Sequence, residues 1–405
     1  MTRPRVAFVV QRYGTDVSGG AEAHCRMIVE KMKDLWEIEV LTSCAKHLIN
    51  RFENDYKPGI DQVNGVPVRR FWIDYLRSDD QTFSRLDQKV LNRKSSREED
   101  RLWLKEVGPY SSDLISYVQE HGEEYDVFVF FGYLYASTTC VLPIVKEKAY
   151  LVPTSHDEPP IYARFYDDFF RLPRGLIVST QEELAFLQKR SPSGISPSVI
   201  VGVGMEVPDG VSGHLFRQAY GIAGDFLLYV GRVQKEKGCD ELLDFYLALA
   251  PELRRRYPLV LVGEKAMHIP EDAHVSAVGF VPEDMKYSAM SGARLLIMPS
   301  RFESLNMVIL ESWLCGTPVL VNGRCDVLRG HCQRSHGGLW YTSFEEFQVC
   351  LEWMLADKDL LEILAENGRK YTGVQYSWDR VRKQYVQLVE EILQEVHCDN
   401  LHNPL

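Results

Sequence analysis

Arg232 and Lys237 lie five residues apart in Val230-Gly231-Arg232-Val233-Gln234-Lys235-Glu236-Lys237-Gly238, where an apolar run gives way to a helix-like stretch. A forked guanidinium and an ammonium at the open end of a sheet can neutralise a diphosphate without a metal ion, the alternative being two exposed cations on a loop. Glu303 and Glu311 stand eight residues apart in Met298-Pro299-Ser300-Arg301-Phe302-Glu303-Ser304-Leu305-Asn306-Met307-Val308-Ile309-Leu310-Glu311, a stretch closed by Gly316-Thr317-Pro318-Val319. Glu303 follows an apolar run, and Glu311 falls about two turns into the next helix. A carboxylate beside a helix N-terminus accepts hydrogen bonds from the vicinal hydroxyls of a sugar or ribose. The free N–H groups of Leu305, Asn306 and Met307 can hold phosphate oxygens. Capping of that helix by Glu303 is the alternative.

A third motif is Ser18-Gly19-Gly20-Ala21-Glu22, between a strand-like run ending at Val10 and a helical stretch. Glycines at such a junction let backbone N–H groups approach an anion, although a plain tight turn would use them as well. The spacing is not G-x-G-x-x-G and no G-K-[ST] follows, so the dinucleotide and P-loop readings lack their marker residues.

These residues need sheets to hold them. The runs Val6–Val10, Ile38–Leu41, Val66–Trp72, Val127–Phe131, Tyr150–Pro153, Leu176–Ser179 and Val199–Val201 read as strands, several apolar throughout, as strands covered on both faces are. A second series follows a lapse at Val207-Pro208-Asp209-Gly210: Phe226–Val230, Leu259–Val262, Val275–Val278, Leu295–Met298, Pro318–Val321 and Leu339–Tyr341. Helices are expected near 239–250, 283–291, 304–315 and 344–355, with a final helix from Trp378 to Val396. The expected fold class is α/β, two doubly wound domains facing each other across a cleft: 1–204, and 205–376, with the last helix, 377–397, crossing back to the first. Arg77 to Lys105, dense in mixed charge, is expected to be a solvated helix or mobile loop.

The formal charge is 46 − 57 = −11. Residues 1–200 carry 26 basic and 29 acidic side chains (−3), leaving 20 and 28 (−8) for the rest. That balance argues against bulk-charge binding of nucleic acid. Nine cysteines (25, 44, 140, 239, 315, 325, 332, 350 and 398) show no C-x-x-C spacing, so neither a zinc site nor a redox dithiol is indicated. No apolar run has the length of a signal-peptide core or a spanning helix, and the expected location is cytoplasmic.

Taken together, the glycine turn, Gly231-Arg232 with Lys237-Gly238, the Glu303/Glu311 pair and the closing Gly-Thr-Pro-Val resemble the retaining glycosyltransferases of family 4, which have the GT-B architecture of two Rossmann-like domains. The resemblance runs over the whole chain. It implies that Arg232 and Lys237 bind the donor diphosphate and stabilise the leaving group. Glu303 would hold donor-sugar hydroxyls, supported by the backbone at Leu305, Asn306 and Met307, and Glu311 would take the ribose hydroxyls. Backbone at Gly279-Phe280 would face the nucleobase, and Gly231 with Gly19 and Gly20 would lie near the phosphates. His156, in Pro153-Thr154-Ser155-His156-Asp157-Glu158-Pro159-Pro160, matches the histidine that the family places near the donor sugar, a buried core histidine being the alternative. Many members have Gly-Phe-Gly where this chain has Ser304-Leu305-Asn306. That departure, with Asn322-Gly323, Cys325-Asp326-Val327-Leu328 and Gly337-Gly338-Leu339, is similar to a subgroup of bacterial cell-envelope polysaccharide transferases.

The resemblance implies transfer of a hexose from a nucleotide sugar, UDP-glucose or a similar UDP-sugar, to a saccharide or lipid-linked saccharide with retention. No cofactor and no metal are expected: the one Asp-x-Asp, Asp357-Lys358-Asp359, lies between two helical segments with no strand before it. Tyr13, Asp157, Glu158 and the Arg77–Lys105 stretch are the acceptor-side candidates, and peripheral membrane contact through the first domain is an expectation of the same kind. The other readings are a nucleotide-sugar epimerase, a nucleotide-sugar-binding protein without catalysis and, least supported, a dinucleotide-dependent oxidoreductase.

Overall fold

A computed structural model describes residues 3–47 and 52–402, with 395–402 in backbone only; Met1, Thr2 and the side chain of Cys398 lie outside this description. The chain divides into two compact units, Met1–Gly204 with Asp379–Leu405, and Met205–Trp378.

Unit 1 is built on eight strands: β1 (Arg5–Val9), β2 (Glu37–Ser43), β3 (Gly59–Val63), β4 (Val66–Phe71), β5 (Val127–Phe131), β6 (Ala149–Val152), β7 (Gly175–Val178) and β8 (Ser198–Ile200). Their order is β3-β4-β2-β1-β5-β6-β7-β8, parallel apart from the β3–β4 hairpin. β1 and β5 are apolar and buried almost end to end, as central strands covered on both faces must be. Strand β3 is absent from the sequence expectation for a physical reason. Gly-Ile-Asp-Gln-Val is exposed along nearly its whole length, so it carries no buried face for a pattern to record.

The charged stretch after Arg77 takes the helical of its two expected forms, with most residues exposed and one face buried. It forms two helices, Asp80–Leu91 and Arg97–Val107, started by Asp79 and by a Ser96/Glu99 capping box. Val90, Trp103 and Leu104 from these helices enter the apolar core of the unit, together with Tyr133, Tyr166 and Phe170. The charges cover the outer face while every third or fourth residue points inward.

Unit 2 has a six-stranded, wholly parallel sheet: β9 (Leu227–Val230), β10 (Leu259–Val262), β11 (Val275–Gly279), β12 (Leu295–Met298), β13 (Val319–Asn322) and β14 (Gly338–Tyr341). The order is β11-β10-β9-β12-β13-β14, and the order reverses between β9 and β12. Loops at the carboxyl ends of these two strands diverge to opposite sides, which in an open α/β sheet creates the crevice where ligands bind. Gly231, Arg232 and Lys237 follow β9, and Pro299 to Asn306 follow β12. The last helix, Trp378–His402, belongs to unit 1, where Leu388 accepts a hydrogen bond from the Tyr150 hydroxyl at 3.0 Å. Both units have the sheets and helical layers of the GT-B class.

Candidate active site

In unit 2, the end of β9 turns at Gly231 and closes through a short turn, Lys235–Lys237, onto Gly238, which begins the helix Cys239–Ala248. Gly238 has φ 72°, and a Cβ there would stand 2.4 Å from the carbonyl oxygen of Pro299. Only glycine lets the β9 loop lie this close to the β12 loop. The consequence is chemical. Lys237 Nζ reaches Glu303 Oε1 at 2.8 Å, so residues 66 positions apart form one ion pair at the sheet's switch point.

Glu303 is 14% exposed and Lys237 38%. Burial pulls the lysine pKa down, but the charge and hydrogen bond of Glu303 outweigh it, and the ammonium ends above its ordinary value. Lys237 is therefore a cation throughout the physiological range. Arg232 lies on the same face: its carbonyl accepts from the buried Tyr229 hydroxyl at 2.8 Å. Burial raises the Tyr229 phenol, Glu303 adds to the rise and Arg232 opposes it, so both charges act on one buried group. The Arg232 side chain itself leans to Glu264, 3.4 Å away, and no hydrogen bond or ion pair joins it to Lys237 or Glu303 among the described residues.

Beyond Glu303 the chain reaches Asn306 at φ 61°, a left-handed conformation that asparagine tolerates better than most residues. Its side-chain oxygen accepts from the N–H of Ile309 at 3.1 Å and starts the helix Met307–Leu314. Asn306 is thus the helix cap, and Glu303 is left to its pairing with Lys237. The Leu305 carbonyl is fixed from the other side by the buried imidazole of His331, Nε2 to O 3.0 Å, while His331 Nδ1 meets the Tyr371 hydroxyl at 3.1 Å. Burial lowers the His331 pKa to about 3, with Arg334 adding to the fall, so the ring is neutral and Nε2 carries the proton donated to Leu305.

Glu311 sits one face along this helix, buried, with Oε1 held by Lys286 Nζ at 2.7 Å and by the Tyr287 hydroxyl at 3.1 Å. Its other oxygen, Oε2, is buried and accepts no hydrogen bond among the described residues. A carboxylate with one oxygen fixed and one open is suited to a hydroxyl donor. At the sheet edge, Gly279 ends β11 with open space where a Cβ would project, and Phe280 is 78% exposed.

Three features of unit 2 escape sequence reading. Glu241 takes both Arg301, at 2.7 Å, and Arg324, and also meets Asn322 Nδ2 at 3.3 Å. Asn322 in turn donates to the Pro299 carbonyl at 3.0 Å, bracing the β12 loop. Lys286 and Tyr287 on Glu311 and His331 on Leu305 are the others. Only the Asn322-Gly323 and Cys325–Leu328 signatures lay near these contacts in sequence, and they name no partner.

In unit 1, the loop after β1 is drawn in by the buried guanidinium of Arg12, which binds Glu22 and the carbonyls of Ser18 and Lys46, both at 2.9 Å. Gly19 packs on the Glu22 carboxylate, and Gly20 opens the helix Gly20–Met32 with nothing within 4 Å of a Cβ. Tyr13 corrects the acceptor expectation: the same inward loop buries it completely, so its side chain meets no ligand surface.

His156 follows β6 through Thr154, at φ 51°. Ser155 is anchored by the buried Glu183, whose Oε1 accepts from its N–H at 2.6 Å and hydroxyl at 3.1 Å, and whose Oε2 accepts from Ser179 N at 2.7 Å. Burial raises Glu183 to about 7 against the pull of those N–H groups. His156 is partly exposed, not a core residue, and its Nε2 lies 3.3 Å from Glu158 Oε2. Glu158 and Asp157 accept from the hydroxyls of Tyr133 and Tyr162, each at 2.7 Å. Asp357 caps the helix Lys358–Gln375 through Leu360 N, and Asp359 is exposed on its first turn.

Residues 216–371 match the family described as "Glycosyl transferases group 1". An uncharacterized glycosyltransferase of Methanocaldococcus jannaschii is 26% identical over 189 residues, 42% of this chain and 46% of that one. A serotype-specific mannosyltransferase of Escherichia coli is 22% identical over 310 residues, 69% of this chain and 37% of that one. The match thus spans less than half the length of each of these two relatives. Among solved structures, HepE of Anabaena in complex with UDP and glucose has a TM-score of 0.70 at 16% identity, over 96% of this chain and 100% of that one. The chain has the GT-B fold, and its residues 216–371 match the glycosyl transferases group 1 family.

Proposed function

We propose that the chain transfers a hexose from a nucleotide-diphosphate sugar, UDP-glucose or a similar UDP-sugar, to a saccharide or lipid-linked saccharide, with retention and without a metal ion, as a family 4 enzyme of polysaccharide assembly. The observation that carries this reading is the Lys237–Glu303 pair at the switch point of the unit 2 sheet, beside the N-terminus of the helix Met307–Leu314. A fixed cation and a helix N-terminus suit the two negative charges of a departing diphosphate. In this reading Glu303 accepts hydrogen bonds from sugar hydroxyls, Glu311 Oε2 accepts from ribose hydroxyls, and Gly279 with Phe280 receives a base.

In the proposed step, the bond from the sugar's anomeric carbon to the phosphate oxygen breaks, and its electron pair leaves with the diphosphate. The acceptor oxygen bonds to the anomeric carbon from the same face and passes its proton to that phosphate oxygen. Lys237 and Arg232 stabilise the charge of the leaving group. His156 and Gly20 are assigned to the sugar and phosphate, and Asp157 and Glu158 to the acceptor. UDP as the nucleotide draws on the UDP held by HepE of Anabaena.

No helix of the described residues is long and apolar enough to cross a membrane, so a lipid-linked acceptor would be met at a membrane surface. Isothermal titration with UDP, UDP-glucose and GDP-mannose tests the donor assignment. UDP and UDP-glucose are expected to bind and GDP-mannose to bind less tightly; no binding of UDP would overturn it. Incubation with UDP-glucose alone separates transfer from epimerisation, since an epimer of the donor sugar would refute the transferase.

A further inference from the structure

Unit 1 contains a cavity of about 430 Å³, a size in the range of small-molecule sites, lined in part by the Arg77–Lys105 stretch and by none of the residues assigned to the donor. The helices Asp80–Leu91 and Arg97–Val107 supply much of its wall. So does Pro160, four residues beyond His156 in the same loop. Its faces are aromatic. Phe52 and Tyr135 meet edge to face at 5.8 Å between centroids, and Phe83 lies 3.4 Å beneath the guanidinium of Arg77.

Two cations and two carboxylates share this space with the rings. Glu106 is buried and accepts from the Tyr75 hydroxyl at 2.8 Å and from the N–H and hydroxyl of Ser78 at 2.7 and 3.0 Å. Asp87 Oδ1 accepts from the Trp103 indole at 2.8 Å. Lys105 rests 4.5 Å from the Tyr110 ring centroid, with no carboxylate in ion-pair range among the described residues.

This balance selects the chemistry of a ligand. An anion would face Asp87 and Glu106, and a cation would face Arg77 and Lys105. A wholly apolar molecule would strip water from four charged groups without replacing its hydrogen bonds. A neutral ring bearing hydroxyls avoids all three penalties. Its C–H face lies on aromatic carbon, and its hydroxyls donate to Asp87 and accept from the Lys105 ammonium.

We infer that this cavity holds a neutral pyranose ring of the acceptor, beside the loop that presents His156; the inference rests on the glycosyl-transfer reading above.

Saturation-transfer NMR on the full chain tests it with four probes: the methyl glycosides of glucose, mannose, galactose and N-acetylglucosamine. At least one should bind, and Lys105→Ala and Tyr135→Ala should each weaken it about fivefold or more, the scale of one lost ring or hydrogen-bond contact. UDP affinity, measured on the same samples, should be unchanged, which also shows that unit 2 of each variant is intact. Lys105, a lining cation, keeps the test open if Tyr135→Ala folds poorly. Three outcomes would overturn the inference: none of the four binds, binding is indifferent to both substitutions, or methyl glucuronide or a methyl aminoglucoside binds more tightly than every neutral probe. Binding of UDP without any glycoside sinks the cavity assignment alone, and binding of glycosides without UDP sinks the donor reading alone.

Discussion

Lys237 and Glu303 touch, yet the proposed chemistry gives them opposite parts, and substitution can separate those parts. In Lys237→Ala a charge-assisted hydrogen bond to the diphosphate disappears, worth about 1.5–3 kcal/mol where water is excluded. Lys237 is 38% exposed, so solvent screens part of that, and the lower end applies. At about 1.4 kcal/mol per decade, UDP should bind about tenfold more weakly. In Glu303→Gln the sign differs. The carboxylate now holding Lys237 at 2.8 Å becomes neutral, and both its repulsion of the diphosphate and its claim on the ammonium vanish. UDP should then bind as well as to the native chain or better. Sugar transfer should still fall about 10²-fold, because the fixed acceptor for sugar hydroxyls is weakened in the transition state. Titration calorimetry with UDP reads the first effect and release of UDP from UDP-glucose the second. Native UDP affinity in Lys237→Ala, or a loss in Glu303→Gln as large as that in Lys237→Ala, would refute the assignment.

Other perturbations have equally definite directions. Gly238→Ala combines a left-handed φ of 72° with a Cβ 2.4 Å from the Pro299 carbonyl, and should cost unit 2 about 3 kcal/mol. Calorimetry should show a melting temperature lower by about 6–12 °C, and an unchanged melt would mean the two loops can part freely. His331 is held near pKa 3 by burial, below its value of about 6.5 in an unfolded chain. Its stabilising contribution is therefore complete above pH ~6.5 and is lost as the pH falls, at about 1.4 kcal/mol per pH unit. In His331→Gln, denaturant titrations from pH 6.5 to 4.5 should lack that component of the slope. Glu183, raised to about 7, acts in the opposite sense: its contribution is present below its unfolded value near 4.5 and is lost as the pH rises through 7. Glu183→Gln should accordingly gain stability relative to the native chain across that interval, and a pH-independent difference would contradict it. Activity should survive EDTA; loss restored by Mg²⁺ or Mn²⁺ would show that a metal, not Arg232 and Lys237, carries the diphosphate charge.

The apolar runs gave away the strands of unit 2 because a parallel sheet covered by helices buries both faces, and burial leaves a continuous record in residue type. β3 left none, since Gly59–Val63 lies exposed at an edge. The helix Met307–Leu314 was legible, but its cap was open to two readings, and a left-handed Asn306 rather than Glu303 fills that place. The stretch after Arg77 was open to a solvated helix or a mobile loop; it is helical, and the spacing of Val90, Trp103 and Leu104 decides which face is buried. Tyr13 was misplaced because the buried Arg12–Glu22 pair that draws its loop inward is a contact between residues, not a property of either one.

By itself, then, the sequence determined the α/β alternation, the two-part organisation and the residue types at each strand end, because these depend on local spacing of apolar and breaking residues. It could not determine that Lys237 grips Glu303, that Lys286 and Tyr287 hold one oxygen of Glu311, that Arg301 and Arg324 share Glu241, or that His331 fixes Leu305. Those pairings join residues 24 to 83 positions apart. They exist only because parallel strands with helical crossovers bring distant loops to the same end of one sheet.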